Sequence, residues 1–157
     1  KKFPEEIIRN SNEMDVHHID QDLEEDSAND SNIADFPDQA NVLFLAGMYF
    51  LESNQDEEAI PYFNLAIILD NSYADAYLYR GTAFCAVKLH GKALEDFNTA
   101  INLNPEDPYP HFHKGLCLEC TYKNYTDALK CYDEAIRLSP LNDLFVSYRK
   151  ELLSVIY

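Results

Sequence analysis

Apolar side chains recur every three or four residues through most of the chain, in runs that short polar breaks separate. In one run, Tyr77, Leu78, Phe84 and Val87 keep this period, which is typical of amphipathic helices. The runs predict an all-α body of seven helices, at approximately 38–52, 56–70, 74–87, 91–103, 108–121, 126–138 and 142–155.

Small and aromatic residues in these helices repeat at a fixed interval. Gly47, Gly81 and Gly115 are spaced by 34 and 34 residues. Other positions follow at intervals of 34 or 35 residues: Ala59, Ala93 and Ala128; Phe63, Phe97 and Tyr132; Ala66, Ala100 and Ala135; and Asn71, Pro105 and Pro140. Such a period indicates stacked units that bury their apolar faces against their neighbours. The sequence therefore predicts three helical hairpins followed by one more helix.

Local signals place two of the helix starts. Ser72, with Asp75 three residues on, has the spacing of a capping box for the third helix. Asp107 can cap the fifth helix, and Pro108 suits its first position because the missing N–H has no partner there in any case.

The combined pattern resembles the tetratricopeptide repeat. Gly-x2-Phe or Leu, then Ala-x3-Phe or Tyr-x2-Ala, then Pro, runs in three copies over residues 38–140. The segment from Asn142 to Tyr157 looks like the usual capping helix. Departures are Asn71 in place of the first proline, and Arg80 and Lys114 where leucine is common. The resemblance implies an α-solenoid domain over residues 37–157.

In this family the first helix of each pair lines a concave binding face through a fixed set of positions. Carried over to this chain, they predict mostly apolar and aromatic partner-binding residues: Phe44, Leu45, Met48, Leu51, Leu78, Tyr79, Thr82, Cys85, Tyr109, Phe112, His113 and Leu116. An apolar stripe on a second helix face implies either a ligand or a helix that covers it. We expect an extended peptide segment of a partner protein to bind there.

The same residues exclude one class of partner. Tetratricopeptide co-chaperones that hold the acidic C-terminus of heat-shock proteins use a clamp of Lys, Asn and Arg. At the corresponding positions this chain has Phe44, Met48, Tyr79, Tyr109 and His113. A carboxylate would find no cation there.

A closer resemblance lies in the third repeat. Pro110-x-Phe112-His113-x-Gly115-x-Cys117 is similar to the third repeat of translocator-class type III secretion chaperones. This implies a bacterial cytoplasmic chaperone, associated with virulence, that keeps a secreted protein soluble before export. The alternative is a scaffold or adaptor module in a larger assembly. Whether the chain forms a homodimer stays open, because that family dimerises through an apolar N-terminal helical region.

Residues 1–36 of this chain are acidic instead, with 11 Asp/Glu against 3 Lys/Arg. We expect a segment that is flexible or becomes ordered on a partner. The net charge of −16, with no basic patch, excludes nucleic acids and anionic membranes as partners. No apolar run reaches the roughly 18 residues that would span a membrane.

Metal binding and catalysis have little support in the sequence. His113, Cys117 and Cys120 stand at i, i+4 and i+7 on one helix face, which would suit three zinc ligands. No fourth ligand accompanies them, so we interpret them as packing residues and expect no metal and no cofactor. A metal-binding regulatory protein is the least favoured alternative. No nucleophile elbow, phosphate loop or carboxylate pair is present, and we expect no enzyme activity.

Overall fold

Seven α-helices form the part of the chain that the computed structural model describes, residues 36–157, with side chains described from residue 39. They are α1 Phe36–Glu52, α2 Asp56–Leu69, α3 Ala74–Ala86, α4 His90–Leu103, α5 Pro108–Tyr122, α6 Tyr125–Leu138 and α7 Asp143–Ile156. The all-α prediction is confirmed, and the helix bounds agree with the predicted ones to within a few residues. The predicted acidic segment, residues 1–36, lies outside the described residues except for Phe36.

The helices pack as three hairpins, α1–α2, α3–α4 and α5–α6, and α7 packs against α6. Neighbouring hairpins join through α2 and α3 and through α4 and α5. The first helices of successive hairpins also contact one another, so α1, α3 and α5 form one layer. The predicted architecture of three repeats and a capping helix is confirmed.

A glycine in the first helix of each hairpin lets an aromatic ring of the second helix approach closely. At Gly81 an added Cβ atom would lie 2.7 Å from the ring of Phe97. Phe97 is almost fully buried, so its ring has nowhere to move. The same pairing recurs as Gly47 with Phe63 and as Gly115 with Tyr132. This contact explains why glycine and the large aromatic residue repeat together.

The turn inside each hairpin contains one residue in the left-handed backbone region. These residues are Asn54, Lys88 and Lys123, with φ of 56°, 65° and 50°. Asn tolerates this conformation better than Lys does. All three lie at equivalent positions, so the repeat imposes the backbone and the side chain adapts to it.

Of the two predicted helix caps, one is confirmed and one is wrong. Asp107 accepts a hydrogen bond from the backbone N–H of Tyr109 at 2.9 Å, and Pro108 begins the helix as predicted. Ser72 does not cap α3, whose N-cap residue is Tyr73 with no side-chain cap. The Ser72 hydroxyl instead donates to the carboxylate of Asp70 at 2.6 Å. The Ser72 side chain is engaged in this local turn and therefore does not form the capping box.

Polar pairs link each hairpin to the next helix along the chain, always between residues 16 apart. Arg80 Nη1 donates to Asn64 Oδ1 at 2.7 Å, and Lys114 Nζ donates to Asn98 Oδ1 at 2.7 Å. Arg149 forms the third pair with Asp133. The departures at Arg80 and Lys114 from the usual leucine are therefore contacts between repeats.

Arg80 also forms a buried ion pair with Asp96. Its Nε and Nη2 donate to the two carboxylate oxygens of Asp96 at 2.8 and 2.7 Å. Asp96 is the buried charged residue of the described chain, at 5% exposure. The Arg80 guanidinium also lies 5.4 and 5.6 Å from the ring centroids of Tyr77 and Phe84. The second repeat thus has an ionic core beside its apolar one.

None of the seven helices over residues 36–157 is both long and apolar enough to cross a membrane.

Candidate functional site

The predicted partner-binding residues lie on α1, α3 and α5, and most of them are neither fully buried nor fully exposed. The half-buried ones are Phe44, Met48, Leu51, Tyr79, Thr82, Cys85, His113 and Leu116. Tyr109 is exposed at 47% and Leu45 at 56%. A half-buried apolar side chain is held in place by the fold and still offers a face to a ligand, which is the arrangement that a binding groove requires.

Two of the predicted residues belong to the core. Leu78 is only 4% exposed and packs in the cluster that contains Phe97 and Cys117. Phe112 is 5% exposed, and its ring centroid lies 4.8 Å from that of Phe145 on α7. Both side chains are therefore mainly core residues, and they expose much less surface than the half-buried positions do.

Aromatic rings form one end of this face, between the first and second repeats. The ring of Phe44 lies 4.9 Å from that of Tyr73 and 5.6 Å from that of Tyr79, measured between centroids. The Tyr73 hydroxyl donates to Asn41 Oδ1 at 3.1 Å. These contacts join α1 to α3 and its N-cap residue, and they hold the three rings against one another. The end of the groove is therefore preorganised.

A pocket of about 240 Å³ lies on the same face, between the second and third repeats. It is lined by Thr82, Cys85, His90, Phe97, His113, Leu116, Cys117, Cys120 and Thr121. Four of the predicted residues, namely Thr82, Cys85, His113 and Leu116, are among them. A pocket of this volume is large enough to admit an apolar side chain.

His113 contributes an aromatic face to this pocket and no charge. Its ring stacks on Phe97 with centroids 6.0 Å apart and meets Phe112 edge-on at 5.6 Å. Burial lowers the pKa of His113 below its ordinary value of 6.5, and the charge on Asp107 raises it by less. The imidazole of His113 is therefore neutral at pH 7, and this side chain is a packing residue of α5.

The electrostatics of the face are acidic where they are charged at all. Burial raises the pKa of Asp75, and the neighbouring carboxylate of Asp107 raises it further. The pKa of Tyr79 is raised mainly by burial, and both carboxylates raise it further. The nearest cations on these helices, Arg80 and Lys114, are engaged between repeats. Within residues 39–157, none of the predicted binding positions offers a cation.

The zinc ligands that the sequence suggested are not the ones that the structure brings together. Cys85, His90 and Cys117 place one donor atom each within 4.8 Å of one another. His113 and Cys120 line the same pocket but lie outside that group. The sequence did not indicate this group because Cys85, His90 and Cys117 lie on three different helices, and no fixed spacing along the chain relates them. Burial raises the pKa of Cys85 to about 12, with Cys117 as the next cause.

Comparisons with known proteins agree with this fold. The family model for the tetratricopeptide repeat matches residues 40–73, which contain most of the first hairpin and the turn after it. No curated protein sequence matches the chain. The chain therefore has a tetratricopeptide repeat where the model matches, and the structure repeats that unit twice more.

Solved structures extend the likeness to all three repeats. The TPR domain of Arabidopsis OM64 is 21% identical with a TM-score of 0.72, over 76% of this chain and 98% of that one. The second TPR domain of human RPAP3, in complex with the HSP70 peptide SGPTIEEVD, is 20% identical with a TM-score of 0.68, over 74% and 97%. The Yersinia enterocolitica type III secretion chaperone SycD, in complex with a peptide of the translocator YopD, is 19% identical with a TM-score of 0.65, over 74% and 88%. At these identities the likeness is one of fold.

Proposed function

We propose that this protein binds an extended, apolar segment of a partner protein along the face formed by α1, α3 and α5. The observation that carries the proposal is a row of half-buried apolar side chains on these three helices. The row lies beside the core and includes residues that line an open pocket. The small and aromatic residues between the helices already form the hydrophobic core. The side chains of the row pack only partly against that core, and within residues 39–157 they leave apolar surface exposed.

Charge narrows the kind of segment. The peptide held by the second RPAP3 domain, SGPTIEEVD, carries three acidic residues. This chain has a net charge of −16, and Asp75 and Asp107 stand beside its groove. Like charges disfavour such a peptide, and no clamp of cations compensates. A neutral or basic segment with apolar anchors fits better.

The more specific form of the proposal is a chaperone that holds a hydrophobic secreted protein until export, as in type III secretion. Its support is the likeness to SycD, which is described in complex with a translocator peptide, together with the Pro110-to-Cys117 pattern of the third repeat. Binding in such a groove would cover apolar surface of the secreted protein that otherwise drives aggregation.

A scaffold or adaptor module is the second candidate. The neighbours from OM64 and RPAP3 are both described as domains of their proteins, and this chain spans nearly all of each domain. A module of that kind would use the same groove for a lasting contact inside a larger assembly.

Calorimetric titration tests the binding face. The probes are SGPTIEEVD and a neutral, leucine-containing peptide of the same length. We expect the neutral peptide to bind and the acidic one not to bind, and we expect the affinity to change little between low and high salt, because no ion pair contributes. Replacing Tyr109 or Leu116 by alanine is expected to cost about 2 kcal/mol, roughly a thirtyfold loss of affinity, as for an interface anchor.

Ile68→Ala is the matched control, because Ile68 is an exposed apolar residue, at 75%, on α2 and therefore outside the groove layer. It should leave the affinity unchanged. If Tyr109→Ala and Leu116→Ala bind the neutral peptide as tightly as the original chain while their helical circular dichroism is intact, the groove is not the binding site.

Partners recovered from the native cell separate the two functional forms. A chaperone should copurify with a secreted protein that aggregates without it, and should release that protein before export. An adaptor should copurify with the permanent components of an assembly. Recovery of the second kind alone would contradict the chaperone form and leave the groove proposal standing.

A further inference from the structure

Two cysteines and a histidine from three helices lie close together in the lining of the pocket. Cys85 lies in the last turn of α3, His90 begins α4, and Cys117 lies in the middle of α5. Their donor atoms, one from each residue, all lie within 4.8 Å of one another. The Cys117 thiol points toward the backbone oxygen of His90, 4.0 Å from its sulfur. The three residues come from the second and third repeats, so the cluster exists only because the repeats stack.

His90 contains an unpartnered polar atom at this place. Its Nδ1 is buried and has no hydrogen-bond partner, and it is the one such buried side-chain nitrogen or oxygen among the residues that the structure describes. Buried polar groups are nearly always paired, so an orphaned one needs an explanation such as an ion. One of the two ring nitrogens of His90 also lies within 4.8 Å of both thiols, where it can serve as a metal donor.

The donor set selects the metal. Two sulfurs and one imidazole nitrogen are soft and borderline donors, which suit zinc and do not suit Mg²⁺ or Ca²⁺. Zinc lies about 2.3 Å from sulfur and about 2.0–2.1 Å from nitrogen, so tetrahedral donors lie roughly 3.5 Å apart. Donors within 4.8 Å of one another would have to move closer by side-chain rotation to reach this separation.

The cluster supplies three protein ligands, so a bound zinc ion would have a fourth position to fill. Three protein ligands and one open position form a recognised arrangement for zinc, including Cys2His sets. Cys120 lines the pocket but is exposed and lies outside the cluster. The open position would take water, or a donor from a bound segment.

We propose that Cys85, His90 and Cys117 form a zinc site in the lining of this pocket, joining the second and third repeats. The site reverses the expectation from sequence that no metal is bound. That expectation considered His113, Cys117 and Cys120, and so included one of the three ligands. The proposal does not depend on the groove binding a peptide.

The test is a titration of the full chain, with its thiols kept reduced, by Co²⁺ and then by Zn²⁺. We expect one equivalent of Co²⁺ to produce the thiolate-to-cobalt charge-transfer absorption and the visible bands of tetrahedral cobalt, and Zn²⁺ to abolish both. Zinc should also raise the melting temperature, because it binds the folded chain and not the unfolded one. These readouts need no partner and no activity.

Variants assign the ligands. Cys85→Ser and His90→Gln are expected to weaken metal binding by at least about tenfold, since even changes outside the ligand shell have that effect. Both residues are only half-buried, so these variants are expected to fold, and circular dichroism checks that. The controls are Cys131→Ser, on α6 and away from the pocket, and Cys120→Ser, inside the pocket but not a ligand. Both should bind metal as the original chain does.

Absence of the charge-transfer band at stoichiometric cobalt would overturn the proposal. Undiminished binding in folded Cys85→Ser and His90→Gln would do the same. Loss of binding in Cys120→Ser would overturn the assignment of an open fourth position.

Discussion

Replacing Asp96 by alanine is expected to lower the free energy of unfolding by about 3–5 kcal/mol, as removal of one member of a buried ion pair does. The guanidinium of Arg80 loses both of its bonds to the carboxylate and keeps only Asn64. Arg80 cannot turn to water without giving up its place over Tyr77 and Phe84. A buried charge without its counter-ion is the source of the loss.

Urea unfolding followed by circular dichroism measures this, with the slope m checked for constancy. Asp133→Ala is the matched control, because Asp133 also pairs with an arginine from the next helix, but the two side chains are 54% and 39% exposed. An exposed pair contributes about 1 kcal/mol or less. Equal and small losses in the two variants would show that burial does not set the strength of the Arg80–Asp96 pair.

The double variant Arg80→Met/Asp96→Leu separates charge from packing. It removes both charges and keeps apolar volume, and such replacements are often neutral or stabilising. We expect it to recover most of the stability that Asp96→Ala loses. A double variant as unstable as the single one would indicate that the geometry of the pair, and not its uncompensated charge, is what the fold requires.

Replacing Gly81 by leucine is expected to destabilise the fold by about 1–3 kcal/mol through overpacking. Its first added atom would lie 2.7 Å from the buried ring of Phe97 and 3.2 Å from Cβ of Asp96. The ring can yield only by separating α3 from α4. The measurement is again urea unfolding.

Gly91→Leu is the control, since a Cβ atom at Gly91 meets nothing within 4 Å. Gly91 lies in α4, where replacing glycine favours the helix by up to about 1 kcal/mol. We therefore expect this variant to be at least as stable as the original chain. If Gly81→Leu were equally well tolerated, the glycine would not be the point of closest approach between the helices.

The folding pattern was readable from the sequence because it depends on local and periodic signals. The interval between Gly47, Gly81 and Gly115 marks the close approach in each hairpin, and the aromatic residue that fills it recurs at the same interval. Helix starts were less secure. Asp107 caps as predicted. Ser72 does not, because a short polar side chain near a turn can bond to a neighbouring side chain, here Asp70, in place of the helix backbone.

The groove was readable in outline only. Family positions place its predicted residues on α1, α3 and α5, but Leu78 and Phe112 are core residues. On a helix, a position next to the buried stripe is turned inward or outward by the packing of its neighbours. In the case of Phe112 that neighbour is Phe145, on α7, which no local pattern relates to α5. Burial at the margin of a stripe is therefore a tertiary property.

The sequence by itself determined the all-α class, the number of repeats and the scarcity of cations at the predicted binding positions, because each depends on residue type at a regular interval. Only the tertiary structure decided which polar residues meet. Arg80 meets Asp96 and Asn64 across 16 residues, and Cys85 and His90 meet Cys117 across two repeats. The physical reason is that side chains pair through space at a few ångströms. Spacing along the chain predicts that distance only within one helix.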